Sequence, residues 1–92
     1  MAIEKLPLTF RKSGYDYNQV LRSENKALYT QSDGKHLIAY EVVKIRRVQD
    51  KYVEFWGKTI PAHEQYPGTG EWGLFGWTYK EYDNALKKYN LL

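Results

Sequence analysis

Apolar and polar side chains alternate along much of the first half of the chain. This pattern predicts β-strands, whose successive side chains point to opposite faces. One alternating segment covers residues 15–22 and a second covers residues 27–32, with a turn predicted at 23–26 between them. Asp33-Gly34 follows the second segment and is a strong hairpin signal, because glycine accepts a positive φ. We therefore expect these segments to pair as antiparallel neighbours.

The third alternating segment, residues 36–48, is the longest. Its apolar side chains change parity between Val42 and Val43. Two interpretations stay open: both faces of the strand are covered at this point, or a bulge shifts the register by one residue. After a turn, residues 52–56 alternate again and predict a fourth strand.

Two segments lack a clear period. Residues 1–14 contain Pro7 and are expected to be irregular or to form an edge strand, because proline cannot donate to a sheet ladder. Residues 57–76 contain two prolines and five glycines and predict a long loop, which in a small domain is often functional. A short strand over residues 73–77 is the alternative.

The last segment has the spacing of an amphipathic helix. Thr78 is expected to be its N-cap, because Glu81 three positions later completes a capping-box pattern. The apolar stripe at i, i+3, i+4 and i+7 consists of Tyr82, Ala85, Leu86 and Tyr89. The whole pattern predicts an α+β fold, in which an antiparallel meander of four to five strands has one C-terminal helix packed on a face.

Composition narrows the possibilities. The chain has 92 residues, so residues 1–92 are expected to form a single domain. It has no cysteine, which excludes disulfides and thiolate metal sites. No apolar run is long enough for a signal peptide or a membrane span, so we expect a soluble cytoplasmic protein. A net charge of +3 permits a phosphate-bearing partner without requiring one.

Signs of catalytic chemistry are weak. His36 and His63 are the only histidines, and they fall on different predicted elements. The segment 63–67 has Pro67 where a zinc-binding H-E-x-x-H motif needs its second histidine. Residues 68–73 match G-x-G-x-x-G, but no buried strand leads into them as a dinucleotide site requires. We expect no catalytic residues, no metal ligands, no cofactor and no enzymatic activity.

Basic residues near the end of the third strand suggest nucleic-acid binding. Lys44 and Arg46 share a face by strand parity and could both contact phosphates, while Trp56 offers a ring for stacking. The alternative is that these charges are solvated and keep a long strand from pairing edge to edge. The full set of nucleic-acid candidates is Lys44, Arg46, Arg47, Lys51, Trp56 and Lys58.

The glycine-rich loop offers a second kind of site. Tyr66, Trp72 and Phe75 are the protein-binding candidates, because exposed aromatic rings make strong interface anchors. The alternative for Trp72 and Phe75 is that they cap the core where the helix meets the sheet. Trp77, beside the predicted N-cap, is expected to belong to the core.

The C-terminal part of the chain resembles small uncharacterised proteins of tailed phages and prophages. The resemblance covers roughly residues 28–90 and includes Tyr40-Glu-Val-Val43 in the third strand. It implies a phage accessory protein that engages or blocks a host factor. The other matching segments are Ile60-Pro61-Ala62, Tyr66-Pro67, Glu71-Trp72-Gly73, Phe75-Gly76-Trp77-Thr78-Tyr79 and Ala85-Leu86-Lys87-Lys88-Tyr89.

A second resemblance is to the WGR domain, a small sheet-and-helix module of some DNA-damage-responsive polymerases. Trp56-Gly57-Lys58 after a strand, followed by a threonine-initiated helix with Ala85 and Tyr89, is similar in order. Lys58 stands where that family has arginine, and the intervening loop lacks the family's usual glycine pattern. The resemblance implies DNA contacts by Trp56 and Lys58.

The expected function is therefore non-enzymatic. The main hypothesis is a protein partner bound through an aromatic loop surface, and the alternative is a nucleic-acid-binding module that uses the basic strand end. An unblocked strand edge could also form a homodimer by strand addition.

Overall fold

The computed structural model describes residues 4–92, which form a five-stranded antiparallel sheet, two two-stranded sheets and one α-helix. The large sheet has the strand order β1-β2-β3-β4-β9, and α1 packs on one of its faces. The expected α+β class, an antiparallel sheet with one C-terminal helix, is confirmed. The elements are β1 (Thr9–Lys12), β2 (Tyr15–Arg22), β3 (Lys26–Ser32), β4 (Leu37–Lys44), β5 (Arg46–Val48), β6 (Lys51–Val53), β7 (Lys58–Ile60), β8 (His63–Gln65), β9 (Gly76–Tyr79) and α1 (Tyr82–Leu91).

The first strands follow the sequence pattern closely. β2 and β3 occupy the two predicted alternating segments, and the Asp33-Gly34 hairpin joins β3 to β4. Gly34 has a φ of +94°, and the Asp33 carboxylate accepts the backbone N–H of Lys35 and of His36 at 2.8 and 2.7 Å. The segment 1–14 contains β1, an edge strand as predicted, while its residues 1–3 lie outside the described residues.

The third strand is shorter than predicted. β4 ends at Lys44, and the chain leaves the large sheet at Ile45, whose backbone N–H donates to Asn25 O at 2.8 Å. From there β5 pairs with β8 instead. The predicted single strand over residues 36–48 is therefore wrong, because its last three residues belong to another sheet.

Both faces of the large sheet are buried, which explains the change of apolar parity. Val42 belongs to the cluster beneath α1, whereas Val43 belongs to the cluster on the opposite face. Of the two interpretations, coverage of both faces is the one observed at this point. The bulge between β3 and β4 lies elsewhere, between Gln31 and Ser32.

The helix begins later than predicted. Its N-cap is Glu81, whereas Thr78 lies within β9, so the predicted capping box at Thr78 is wrong. The apolar stripe is confirmed in its later part: Ala85 and Tyr89 are buried against the sheet and Leu86 packs beside them, whereas Tyr82 is exposed. Thr78 cannot act as the N-cap because its backbone pairs with Glu41 of β4, one residue beyond the alternative strand over residues 73–77.

Residues 51–60 form a separate hairpin. The predicted fourth strand over 52–56 is only half correct: β6 ends at Val53, and Glu54–Trp56 form one turn of 3₁₀ helix. Gly57 then takes a left-handed conformation, with a φ of +60°, and β7 returns alongside β6. The predicted long loop contains β7, β8 and the start of β9, the last close to the alternative strand at 73–77.

A short ladder supports this hairpin. β5 precedes the hairpin in the chain and β8 follows it, and these two strands pair with each other. Glu4 continues the ladder, because its backbone N–H donates to Ala62 O and its carbonyl accepts the N–H of Glu64. The hairpin thus projects from a paired base. Within residues 4–92, no helix is long and apolar enough to cross a membrane.

Candidate functional site

Tyr66 and Trp72, two of the three predicted protein-binding residues, lie together on the sheet face opposite α1. The Tyr66 ring packs edge-on against Phe10 and Tyr29, with centroid separations of 5.1 and 5.5 Å. Its hydroxyl donates a short hydrogen bond to Glu41 Oε1. Burial is the main reason that the pKa of the Tyr66 hydroxyl is raised, and the neighbouring Glu41 charge raises it further. Tyr66 is therefore part of the packed structure and remains protonated.

Trp72 is held over the backbone of Gly76. A Cβ atom added at Gly76 would lie only 2.5 Å from the Trp72 ring, so the close approach depends on glycine. The indole Nε1–H donates to Thr78 Oγ1 at 2.7 Å. The ring centroid stands 6.2 Å from that of Tyr66, with the planes tilted by 36°. Both rings thus have fixed positions on this face.

Glu41 lies beside these rings in the large sheet and is only 7% exposed. Burial raises the pKa of its carboxyl, although the Tyr66 hydrogen bond and the nearby Lys12 charge oppose this shift. An open cleft of about 310 Å³ lies above it, lined by aromatic rings and by the charged side chains of Glu41 and Lys12. The sequence pattern gave no reason to select Glu41, because an acidic residue at mid-strand is normally solvated.

Phe75, the third predicted residue, faces a different groove. Its ring lies 4.9 Å beneath the Arg46 guanidinium, and Arg46 in turn forms an ion pair with Glu71. The groove, of about 430 Å³, runs between the end of β4 and the β2–β3 turn. Tyr66, Trp72 and Phe75 therefore do not form one continuous aromatic surface.

The predicted basic surface is also divided. Arg46 is paired with Glu71, and Arg47 donates to Asn25 Oδ1 at 2.8 Å and to Glu64 Oε2 at 3.4 Å. Lys44 is exposed, with its ammonium 5.9 Å from the centroid of the Trp77 ring. These three cations contact different parts of the molecule.

The other three members of the nucleic-acid set share one element. Lys51, Trp56 and Lys58 all lie on the 51–60 hairpin, which we call the aromatic hairpin. The hairpin contains one acidic residue, Glu54, so its own net charge is +1. Asp50, just before it, balances the second lysine, and residues 50–60 together have no net charge.

The aromatic hairpin carries the most exposed aromatic rings among the described residues. Phe55 is 92% exposed, Tyr52 63% and Trp56 61%, and we call these three residues the aromatic tip. Eight of the ten residues from Lys51 to Ile60 are exposed. The alternating pattern gave no reason to select Tyr52 and Phe55, because it predicts a half-buried strand at these positions. The signal available was the Phe55-Trp56-Gly57 run, in which glycine favours a turn.

The histidines show no shared site. His36 is exposed at the β3–β4 turn, 3.9 Å from Asp33, and His63 contacts Pro61 O through Nδ1 at 2.9 Å. Among residues 4–92, no three His, Cys, Asp or Glu side chains are grouped so that they could hold a metal ion.

Comparisons with protein-family models, with curated proteins and with solved structures gave no significant match.

Proposed function

We propose that this protein is a non-enzymatic binding protein that inserts its aromatic tip into a folded protein partner. The supporting observation is the exposure of Tyr52, Phe55 and Trp56 within five consecutive residues. Large apolar side chains in water have an unfavourable hydration free energy, and contiguous exposed groups of them mark interaction surfaces. Tyrosine and tryptophan are also the residues that most often dominate interface energetics.

The shape of the site favours a partner with a concave surface. The aromatic hairpin is a convex projection, with its tip at a 3₁₀ turn followed by the left-handed Gly57. A projection of this kind buries its rings in a pocket of a folded partner, which surrounds each ring with apolar contacts. The paired base of the hairpin limits how much conformational freedom is lost on binding, which favours affinity.

The charge of the site favours protein over nucleic acid. Asp50 and Glu54 offset Lys51 and Lys58 around the tip. Nucleic-acid affinity depends largely on phosphate neutralisation by clustered cations, and residues 50–60, with no net charge, supply little of it. Arg46 and Arg47, two further cations of the predicted set, form ion pairs with Glu71 and Glu64.

The partner class follows from the resemblance to small tailed-phage proteins. An accessory protein of that kind would act on a host-cell factor, so host proteins are the first place to search. The predicted residues Tyr66, Trp72 and Phe75 have another role in this proposal. They fix the loop between β8 and β9 on the sheet, and Trp72 and Tyr66 border the cleft above Glu41.

The proposal is tested by affinity capture from host-cell extract, followed by titration of each captured protein in purified form. We expect direct binding that is abolished in Phe55→Ala/Trp56→Ala and kept in Leu91→Ala, which removes a large apolar side chain from α1 that is 80% exposed. Single- and double-stranded oligonucleotides titrated at two salt concentrations test the rival class. Oligonucleotide binding that weakens steeply with salt and depends on Lys51 and Lys58 would replace this proposal by the nucleic-acid one.

A further inference from the structure

The cleft above Glu41 has the construction of a cation-binding cage. Tyr17, Tyr66 and Trp72 border it, and their rings meet at angles: 62° between Tyr17 and Tyr66, and 36° between Tyr66 and Trp72. The rings thus form walls around a space and do not stack into a single layer. At about 310 Å³, the cleft is at the lower end of the range for small-molecule pockets, about 300–1,000 Å³.

One ammonium group already lies at this cleft. Lys12 extends from the edge strand β1, and its Nζ stands 5.8 Å from the centroid of the Tyr66 ring. Ammonium groups within about 6 Å of a ring centroid are attracted by the negative face of the ring. The positive charge of Lys12 also lowers the pKa of Glu41, against the larger effect of burial. The chain's own lysine therefore marks where an alkylammonium group is accepted.

Glu41 supplies the counter-charge. Its carboxyl is fixed by the Tyr66 hydroxyl, which donates to Oε1, and it is nearly enclosed by protein. A carboxylate among aromatic rings attracts a cation more strongly than one in water, because the surrounding medium screens it less. Three rings and a carboxylate are the elements of the aromatic cages that bind quaternary ammonium ions and methylated lysine.

From this geometry we infer that the cleft binds an alkylammonium group from outside the chain, which displaces the Lys12 ammonium and lies against the Tyr66 and Trp72 rings that line the cleft, next to Glu41. The site is separate from the aromatic tip, and binding there does not depend on the proposed partner. The ligand chemistry is shared by a methylated lysine side chain and by choline-like small molecules.

Removal of Lys12 is expected to strengthen binding at the cleft, whereas most substitutions at a binding site weaken it. As an internal competitor of the same charge, it should weaken binding, so that Lys12→Ala increases the affinity for an external alkylammonium ion. If Lys12 were only a solvated surface residue, its removal would not change the affinity for an alkylammonium ion. Lys51→Ala, which removes an exposed lysine from the aromatic hairpin, is the matched control.

The test is a titration of the full chain with choline and with its neutral isostere 3,3-dimethylbutan-1-ol, observed through the Trp72 indole N–H resonance. We expect choline to bind Lys12→Ala at least fivefold more tightly than it binds the wild type or Lys51→Ala. The neutral isostere should bind at least fivefold more weakly than choline. Equal affinities for choline and the isostere, or no gain in Lys12→Ala, would overturn the inference.

Glu41→Gln tests the counter-charge without removing the acceptor for Tyr66, since the glutamine carbonyl can still accept its hydroxyl. In the Lys12→Ala background, this change should reduce choline affinity at least fivefold while near-ultraviolet circular dichroism stays unchanged. Unchanged affinity would contradict the assignment of Glu41. Peptides that carry lysine or trimethyllysine, titrated in parallel, then distinguish a peptide ligand from a choline-like one. Because neither substitution touches Phe55 or Trp56, failure here leaves partner capture by the aromatic tip intact.

Discussion

Arg22 donates two parallel hydrogen bonds to Glu64, one to each carboxylate oxygen, and both measure 2.6 Å. This pair joins β2 of the large sheet to β8 of the short ladder that supports the aromatic hairpin. The Glu64 side chain is only 2% exposed and also accepts the backbone N–H of Leu6 at 3.0 Å. One carboxylate thus fixes the N-terminal segment, the large sheet and the base of the hairpin.

Glu64→Gln should destabilise the fold strongly. The change removes the charge of a nearly buried carboxylate and leaves Arg22 without its counter-ion, which for buried pairs costs about 3–5 kcal/mol. Because Arg22 keeps 20% of its side-chain surface in solvent, we expect the lower part of that range. Thermal and urea unfolding measure the loss. Glu54→Gln, at the exposed turn of the hairpin, is the control and should leave the unfolding free energy within about 0.5 kcal/mol of the wild type.

The same pair predicts a pH dependence. The hydrogen bond from Arg22 is the main reason that the pKa of Glu64 lies below its ordinary value of 4.5. A carboxyl with a lowered folded-state pKa stabilises the fold above its unfolded-state pKa, and this contribution is lost as the pH falls through the folded-state value. The stability difference between wild type and Glu64→Gln should therefore be largest near neutral pH and shrink below about pH 4.5. Urea unfolding across this window measures it, and a constant difference would exclude the Glu64 charge as its source.

Gly76→Ala should displace the Trp72 ring. The added methyl group would lie 2.5 Å from the nearest ring atom, so the ring has to move and its hydrogen bond to Thr78 is lost. Overpacking of this kind costs about 1–3 kcal/mol. The Trp72 indole N–H resonance should shift, and the melting temperature should fall. Gly70→Ala is the control, since nothing lies within 4 Å of its added Cβ. Equal stability of the two variants would refute the close approach.

Local sequence signals predicted the parts of the fold that depend on neighbouring residues. The Asp33-Gly34 turn and the helix stripe through Ala85 and Tyr89 are of this kind, because each is set by side chains a few positions apart. The parity change at Val42 and Val43 was also informative, and the structure explains it by a core on each face.

Pairings between distant residues were not predictable in the same way. β5 and β8 pair across the whole aromatic hairpin, with Arg47 opposite Glu64. In the sequence, Glu64 looks like an ordinary polar residue of a loop, and its contacts with Arg22 and Leu6 lie 42 and 58 positions away.

At the candidate site, too, local sequence signals identified residue types, whereas the exposure of each ring depends on distant contacts. Trp56 was selected for its ring, but its exposed position on a turn depends on the positive φ of Gly57 and on the early end of β6. Tyr66 and Trp72 were selected as surface anchors, whereas their hydrogen bonds to Glu41 and Thr78 fix them on the sheet. Aromatic composition identified the residue type, and only the tertiary fold determined which rings face solvent.

In the proposed mode of binding, the aromatic tip contacts the partner while contributing little to the stability of the fold. Its most direct test is the affinity of Phe55→Ala for the purified partner, measured by calorimetry together with the melting temperature. Because Phe55 is 92% exposed in the free protein, the melting temperature should stay within about 1 °C of the wild type, while truncation of an interface anchor costs about 2 kcal/mol or more, roughly a 30-fold loss of affinity. Unchanged affinity for the partner would exclude Phe55 as an anchor, and a large fall in melting temperature would show that its ring belongs to the core.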